Sequence, residues 1–195
     1  MPRKSTATDK PLREHILDVA DRLFYGQGLH SVGIDRVIAE AKIAKTSLYR
    51  YFPSKDALIR AYLERRNQQF WHLLEAALAD CDPKPMAQLV GVTDFIAQLL
   101  IQPECQGDPF LLAASEFADA EHLSRQVIVE HKAGVCDRIT ALAKAASLKQ
   151  PQLLATQLTM VIDGGFSQVR YLDSKQVSDT FQRAATALIA QATVI

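Results

Sequence analysis

Between Ile34 and Phe52 the chain reads I-D-R-V-I-A-E-A-K-I-A-K-T-S-L-Y-R-Y-F, and its apolar residues fall into two short helical runs with a break between them. The spacing predicts helices over about Ile34–Ala41 and Lys45–Tyr51, joined by Lys42-Ile43-Ala44. A helix of two turns is not stable alone in water. The pair must therefore lean on neighbouring helices, with Val37, Ile38, Ala41, Ile43 and Leu48 as the residues that lock them together. The second helix is left with Lys45, Thr46, Ser47, Tyr49 and Arg50 facing outward. Such side chains have the length and the donors to reach phosphates and base edges in a major groove. The pattern is that of a helix-turn-helix, although a solvated amphipathic hairpin would show the same spacing.

The flanks supply the support. Leu12, Ile16, Ala20, Leu23 and Phe24 recur at helical spacing, with Asp9 or Lys10 before Pro11 as a start and Gly26 and Gly28 as a stop. Pro53-Ser54 ends the pair and opens a fourth helix, with Ser54 as its cap and Asp56 in its first turn to offset the dipole. That helix is expected to run to about Asp80, with Leu58, Tyr62, Phe70, Leu73 and Ala77 on one face and Arg66 as the only interruption. Further helices are expected over 86–102, 109–119, 121–147, 151–172 and 176–192. No segment shows strand alternation and no repeat is evident. The expectation is an all-α fold of about nine helices, with an N-terminal helix-turn-helix domain over 1–53 and a larger helical domain over 54–195. The last two helices are poor in charge and contain Gly164-Gly165, which suits packing against a second copy as well as an ordinary core.

Composition narrows the class. With 48% hydrophobic residues, 8 Gly and 8 Pro, the chain has material for a core and few breakers. No run is long enough to span a bilayer, and Met1–Thr6 carries charge with no apolar stretch behind it, so neither signal peptide nor membrane anchor is expected and the location is read as cytoplasmic. Cys81, Cys105 and Cys136 are odd in number and widely spaced, which points to reduced thiols and no metal knot. Net charge is zero, but residues 1–66 hold 13 Lys and Arg against 8 Asp and Glu, while the remainder holds 9 against 14. A basic head on an acidic body suits a protein that meets phosphate at one end.

The run I-A-K-T-S-L-Y-R-Y-F-P-S-K-D-A-L closely resembles the end of the DNA-binding domain in TetR-family regulators, where a recognition helix closes in L-Y-x-x-F and a Ser-Lys helix start follows at once. The likeness covers about residues 10–60. It implies that Lys45, Thr46 and Ser47 open the recognition helix, with Arg50 one turn on. It also implies that Tyr49 and Tyr51 touch the DNA backbone, that Phe52 packs inside, and that Lys55 presents its ammonium to a phosphate beside a helix N-terminus. Two positions depart from the family pattern. The threonine that commonly starts the second helix is replaced by Val32, so a hydroxyl would come from Ser31 or be missing. Lys42 stands where the family usually has Gly, and a left-handed residue with a Cβ there costs roughly 1 kcal/mol. Either the turn is reshaped, or Lys42 offsets the strain by reaching a phosphate.

The family uses the remaining helices to bind a small effector and the last two to form a homodimer. Phe70, Trp71, Phe95, Phe110, Phe117, Met160 and Phe166 are the candidate pocket residues, each equally readable as plain core. His131 and Asp163 interrupt apolar faces, so they could pair with each other, anchor an effector, or join Glu116 around a metal ion. The metal reading is weak because the spacing matches no ligand motif. No cofactor is expected beyond an unidentified small-molecule effector. An enzyme is the rival from another class, but G-x-S-x-G, P-loop and H-E-x-x-H motifs are absent. The remaining alternative keeps the DNA-binding head and gives the body a protein partner in place of a metabolite. A closed apolar pocket would favour the metabolite, and a filled core with an exposed apolar patch the partner.

Overall fold

A computed structural model describes residues 11–117 and 122–193. Among them are nine helices and no strand: α1 (Leu12–Gln27), α2 (Ile34–Ala41), α3 (Lys45–Tyr51), α4 (Lys55–Ala79), α5 (Pro85–Leu100), α6 (Pro109–Glu116), α7 (Arg125–Ala145), α8 (Pro151–Gln168) and α9 (Ser174–Thr193). The two short helices fall where their spacing puts them.

The ends differ in ways the backbone explains. α1 runs one turn beyond Phe24 and stops at Gly28, whose φ of 90° suits glycine and whose N–H returns to Phe24 O at 2.9 Å. Asp9 and Lys10, the expected start, lie outside the described residues. α4 begins as expected, since Ser54 Oγ accepts from Ala57 N at 3.0 Å. α6 ends at Glu116 because Phe117 is extended, and α7 begins at Arg125 because residues 122–124 form a turn; the expected ends at Asp119 and Glu121 lie outside the described residues. α8 ends at Gln168, four residues short of Leu172, where the chain turns into α9.

Two apolar cores form. The first joins α1, α2 and α3 to Leu58–Leu63 of α4, with Phe110 and Ala113 from α6 and Val127 and Ile128 from α7. The second joins Leu74 and Leu78 of α4 to α5, α7, α8 and α9. The first core therefore does not stop at residue 53. It borrows two turns of α4, and it is this borrowed surface that lets α2 and α3 exist. Leu48 and Val37 are fully buried within it, each contributing on the order of 1.5–3 kcal/mol. One rigid helix thus belongs to both cores, and between them it passes an incompletely filled space at Phe70.

Candidate nucleic-acid interface and central cavity

α3 is pinned from behind by Leu48 and by Phe52 at its end, and this sets which side chains look outward. Lys45, Thr46, Tyr49 and Arg50 are exposed, while Ser47 and Tyr51 are half-buried. Lys45 Nζ lies 3.0 Å from Asp35 Oδ1, and that hydrogen bond raises its pKa. Both partners are well exposed, so the pair is screened and the ammonium remains free to exchange Asp35 for a phosphate. Arg50 donates to Tyr51 Oη at 3.0 Å with its guanidinium 4.8 Å over the same ring. Lys55 donates from Nζ to His30 O at 3.3 Å, which holds its ammonium at the start of α4.

The two departures resolve differently. Lys42 has φ 54° and ψ 45°, so the turn keeps its left-handed residue and is not reshaped. Its N–H reaches Ala39 O at 3.2 Å, while Ile43 N reaches Ile38 O at 3.3 Å. His15 Nε2 sits 3.0 Å from Ala41 O and closes the end of α2 from α1, a contact the spacing did not reveal. Ser31 is exposed and caps nothing. The N-cap of α2 is Gly33, with no side-chain hydrogen bond, and Val32 is fully buried.

Three contacts tie this head to the body. Glu116, at the end of α6, accepts from Leu29 N at 2.9 Å and His30 N at 2.6 Å. Tyr25 Oη donates to Gly107 O at 2.7 Å and accepts from Gln106 N at 2.9 Å, and burial pushes its pKa up to about 12. Arg65 donates to Asp18 at 2.8 Å and Asp21 at 3.1 Å, while Arg66 donates to Asp21 and lies 4.4 Å over the Tyr25 ring. Arg66, expected as a lone interruption of an apolar face, thus joins Arg65 in tying α4 to α1. Only the tertiary structure supplies its partner, because Asp21 lies 45 positions away.

A cavity of about 280 Å³ opens beside α4. Phe70, Phe95, Phe110, His131 and Phe166 line it, together with Tyr25, Arg66, Leu99, Cys105 and Asp108, which spacing did not single out. Its lip carries exposed Gln69, Leu73, Gln102 and Glu104. Leu73 was expected inside and is 51% exposed. His131 is buried, with Nδ1 2.9 Å from Asn67 Oδ1 and Phe110 stacked on it at 3.7 Å. Burial lowers its pKa to about 4, so the ring is neutral at physiological pH.

Four candidates fall elsewhere. Trp71 packs against Gly134 of α7, where a Cβ would come within 2.9 Å of the indole, and meets Phe70 edge-on instead of lining the cavity. Phe117 stacks on His122 and packs on the first core. Met160 is 69% exposed on α8. Asp163 does not meet His131: its Oδ1 takes Lys132 Nζ at 2.6 Å, and the same ammonium lies 2.6 Å from Asp108 Oδ2. Burial and the nearby Asp108 raise the Asp163 pKa, against the pull of Lys132. Glu116 is occupied by the head, so the three residues considered for a metal lie apart, and among the described residues no such cluster exists. No described helix is long and apolar enough to cross a membrane.

Comparison with known proteins agrees with this architecture. Residues 16–62 match the model of the bacterial regulatory proteins of the tetR family. An HTH-type transcriptional regulator of Mycobacterium tuberculosis is 30% identical over 46% of this chain and 45% of its own length, so the chain spans about half of that relative. The HTH-type transcriptional regulator YjdC of Escherichia coli is 22% identical over 89% of this chain and 91% of its own. Among solved structures, a TetR-family transcriptional regulator from Streptomyces coelicolor superposes with a TM-score of 0.88 and 30% identity, covering 94% of this chain and 96% of that one. The multidrug binding protein EbrR, solved with malachite green, superposes with a TM-score of 0.71 and 25% identity over 92% and 99%. With a helix-turn-helix in place, nine helices among the described residues and 30% identity over nearly the whole of both chains, the chain belongs to the TetR family of transcriptional regulators.

Proposed function

We propose that the chain acts as a homodimeric repressor that binds a palindromic operator through α3 and is released when a small, mostly apolar molecule enters the cavity beside α4. The observation that carries this reading is α4 itself. It starts at Lys55 next to the outward face of α3, is clamped to α1 through Arg65 and Arg66, and passes Phe70 in the cavity wall. A shift at Phe70 is carried along a single helix of 25 residues to the head. An effector acting this way must bind the free protein more tightly than the operator-bound protein by the same factor that it weakens the operator, typically 5- to 150-fold.

The dimer is supported by α8 and α9. Leu153, Thr156 and Met160 form an exposed stripe along α8, Ala187 and Ala190 are exposed on α9, and two-fold symmetry then calls for a two-fold operator. Read this way, the exposure of Met160 belongs to a subunit contact and not to an effector. The cavity, walled by four phenylalanines with His131 among them, supports a metabolite over a protein partner.

Selection of random duplexes by the purified protein tests the reading, followed by titration of the selected site against random DNA at several salt concentrations. A palindromic site is expected, with half-sites about 34–36 Å apart. Lys55→Ala should weaken both duplexes alike and reduce the salt slope by about one unit. A non-palindromic site, or a monomer at micromolar concentration, would overturn the dimeric repressor.

A further inference from the structure

Two buried polar side chains reach the cavity wall, and they stand in opposite situations. Asp108 is fully engaged: Oδ1 accepts from Phe110 N at 2.6 Å and Leu111 N at 3.2 Å, and Oδ2 takes Lys132 Nζ. His131 is engaged on one edge only. Its Nδ1 faces the carboxamide oxygen of Asn67, which only accepts, so Nδ1 carries the ring proton. Nε2 is left with a lone pair and no hydrogen-bond partner among the described residues. The ring is held neutral by burial, stacked on Phe110 and met edge-on by Phe70 at 4.8 Å. It can accept from a cavity guest and cannot donate to it.

The cations near the cavity are already engaged. Arg66 is held by Asp21, and Lys132 is shared by Asp108 and Asp163, so an anionic guest would bring an uncompensated charge among phenylalanines. A volume of about 280 Å³ lies at the lower edge of ligand pockets, commonly about 300–1,000 Å³. Phe70, Phe95, Phe110 and Phe166 offer flat walls to rings.

We infer that the cavity takes a small, flat aromatic molecule that is not an anion and carries one hydroxyl or N–H group, which donates its hydrogen to Nε2 of His131. This rests on the reading of the cavity as the effector site and names the class of molecule that fits it. A site whose lone acceptor is covered by the guest discriminates strongly against an analogue that lacks the donor, because desolvation of the acceptor is then uncompensated.

Calorimetry at pH 7 with 2-naphthol, 2-methoxynaphthalene and 2-naphthoate tests it. The three share a ring system and differ in whether they donate, only accept, or carry a charge. The naphthol should bind at least tenfold tighter than either of the others. His131→Phe should bring naphthol and ether level, while His131→Gln, which keeps an acceptor, should retain part of the preference. Because the comparison of the three compounds uses the wild-type protein, it decides even if neither variant folds. An ether that binds as well as the naphthol overturns the inference, as does tighter binding of the carboxylate. Operator release is followed separately, by anisotropy of the labelled selected duplex. Release by naphthol and ether at equal affinity sinks the donor requirement and leaves the effector reading standing. Selective naphthol binding with unchanged operator affinity sinks the effector reading and leaves the ligand class standing. No binding of any of the three removes both.

Discussion

The head and the body of this chain are both helical, yet they are built on different principles. In the head, two helices of eight and seven residues cannot survive without their neighbours, so nearly every apolar residue is committed to one packed core and the polar residues left over define a single outward face. In the body, where every helix but the eight-residue α6 has 16 to 25 residues, there is apolar material to spare, and the surplus is divided among a core, a cavity wall and an exposed stripe on α8. Helical spacing identifies a residue as apolar-facing, but only a head has a single place for it to go. The lesson is that short elements make sequence patterns unambiguous, and long elements do not.

The sharpest way to break this contrast is to place one charge at two positions of the body that look alike in sequence. Gly165 is buried, and a Cβ there would lie 3.3 Å from Leu100 Cδ1 and 3.9 Å from Phe181. Gly165→Glu therefore strikes the chain's own core, and a loss of more than about 3 kcal/mol is expected from the buried carboxylate and the overpacking. Ala187 on α9 is exposed. Ala187→Glu should leave the monomer's fold intact while shifting the light-scattering mass to that of a monomer and abolishing operator binding. Equal unfolding midpoints for the two variants would show that α8 and α9 do not divide their surface between core and partner.

A pH titration of stability sharpens the comparison at His131. Its folded pKa of about 4 lies below the unfolded value near 6.5, so the unfolded chain binds the proton first. The stability present above pH 6.5 is lost as pH falls toward 4, by roughly 2 kcal/mol between pH 7 and 5. Urea unfolding at the two pH values should show His131→Phe losing less on acidification than wild type by about that amount. An identical loss in both proteins would mean that the ring is charged or exposed in the folded state.

The smallest expected effect lies in the head. Lys42 occupies a left-handed conformation that glycine adopts without strain, so Lys42→Gly should stabilise the fold by up to about 1 kcal/mol, less whatever glycine loses by its greater freedom when unfolded. A rise of a few degrees in the melting temperature checks it. If stability rises while operator affinity falls, Lys42 offsets its strain at a phosphate, and a rise in both would remove it from the DNA face.

How far the site could be read follows the same division. Lys45, Thr46, Tyr49 and Arg50 were readable as an outward face because Leu48 leaves α3 only one orientation. Phe70, Phe95, Phe110, His131 and Phe166 do meet around one cavity, but Trp71, Phe117 and Met160 share their chemistry and spacing and lie elsewhere. Nothing in their local sequence separates the two sets. The contacts that join head to body were invisible for a related reason. Glu116 with Leu29 and His30, Tyr25 with Gly107, and Arg66 with Asp21 pair residues dozens of positions apart, and each partner alone looks like an ordinary surface or interfacial side chain.

The sequence by itself determined the helical class, the helix-turn-helix and the serine cap that starts α4, because each rests on interactions within a few residues or on a period of 3.6; the left-handed turn kept at Lys42 came from the structure. The tertiary structure decided which aromatic residues enclose space, that Asp163 answers Lys132 and not His131, and that His131 is left with one unpaired nitrogen. Those are questions of which helix faces which, at what rotation. Such choices are set by the summed packing of long helices, where shifting a side chain from core to cavity to surface changes its burial without changing the pattern that marks it as apolar.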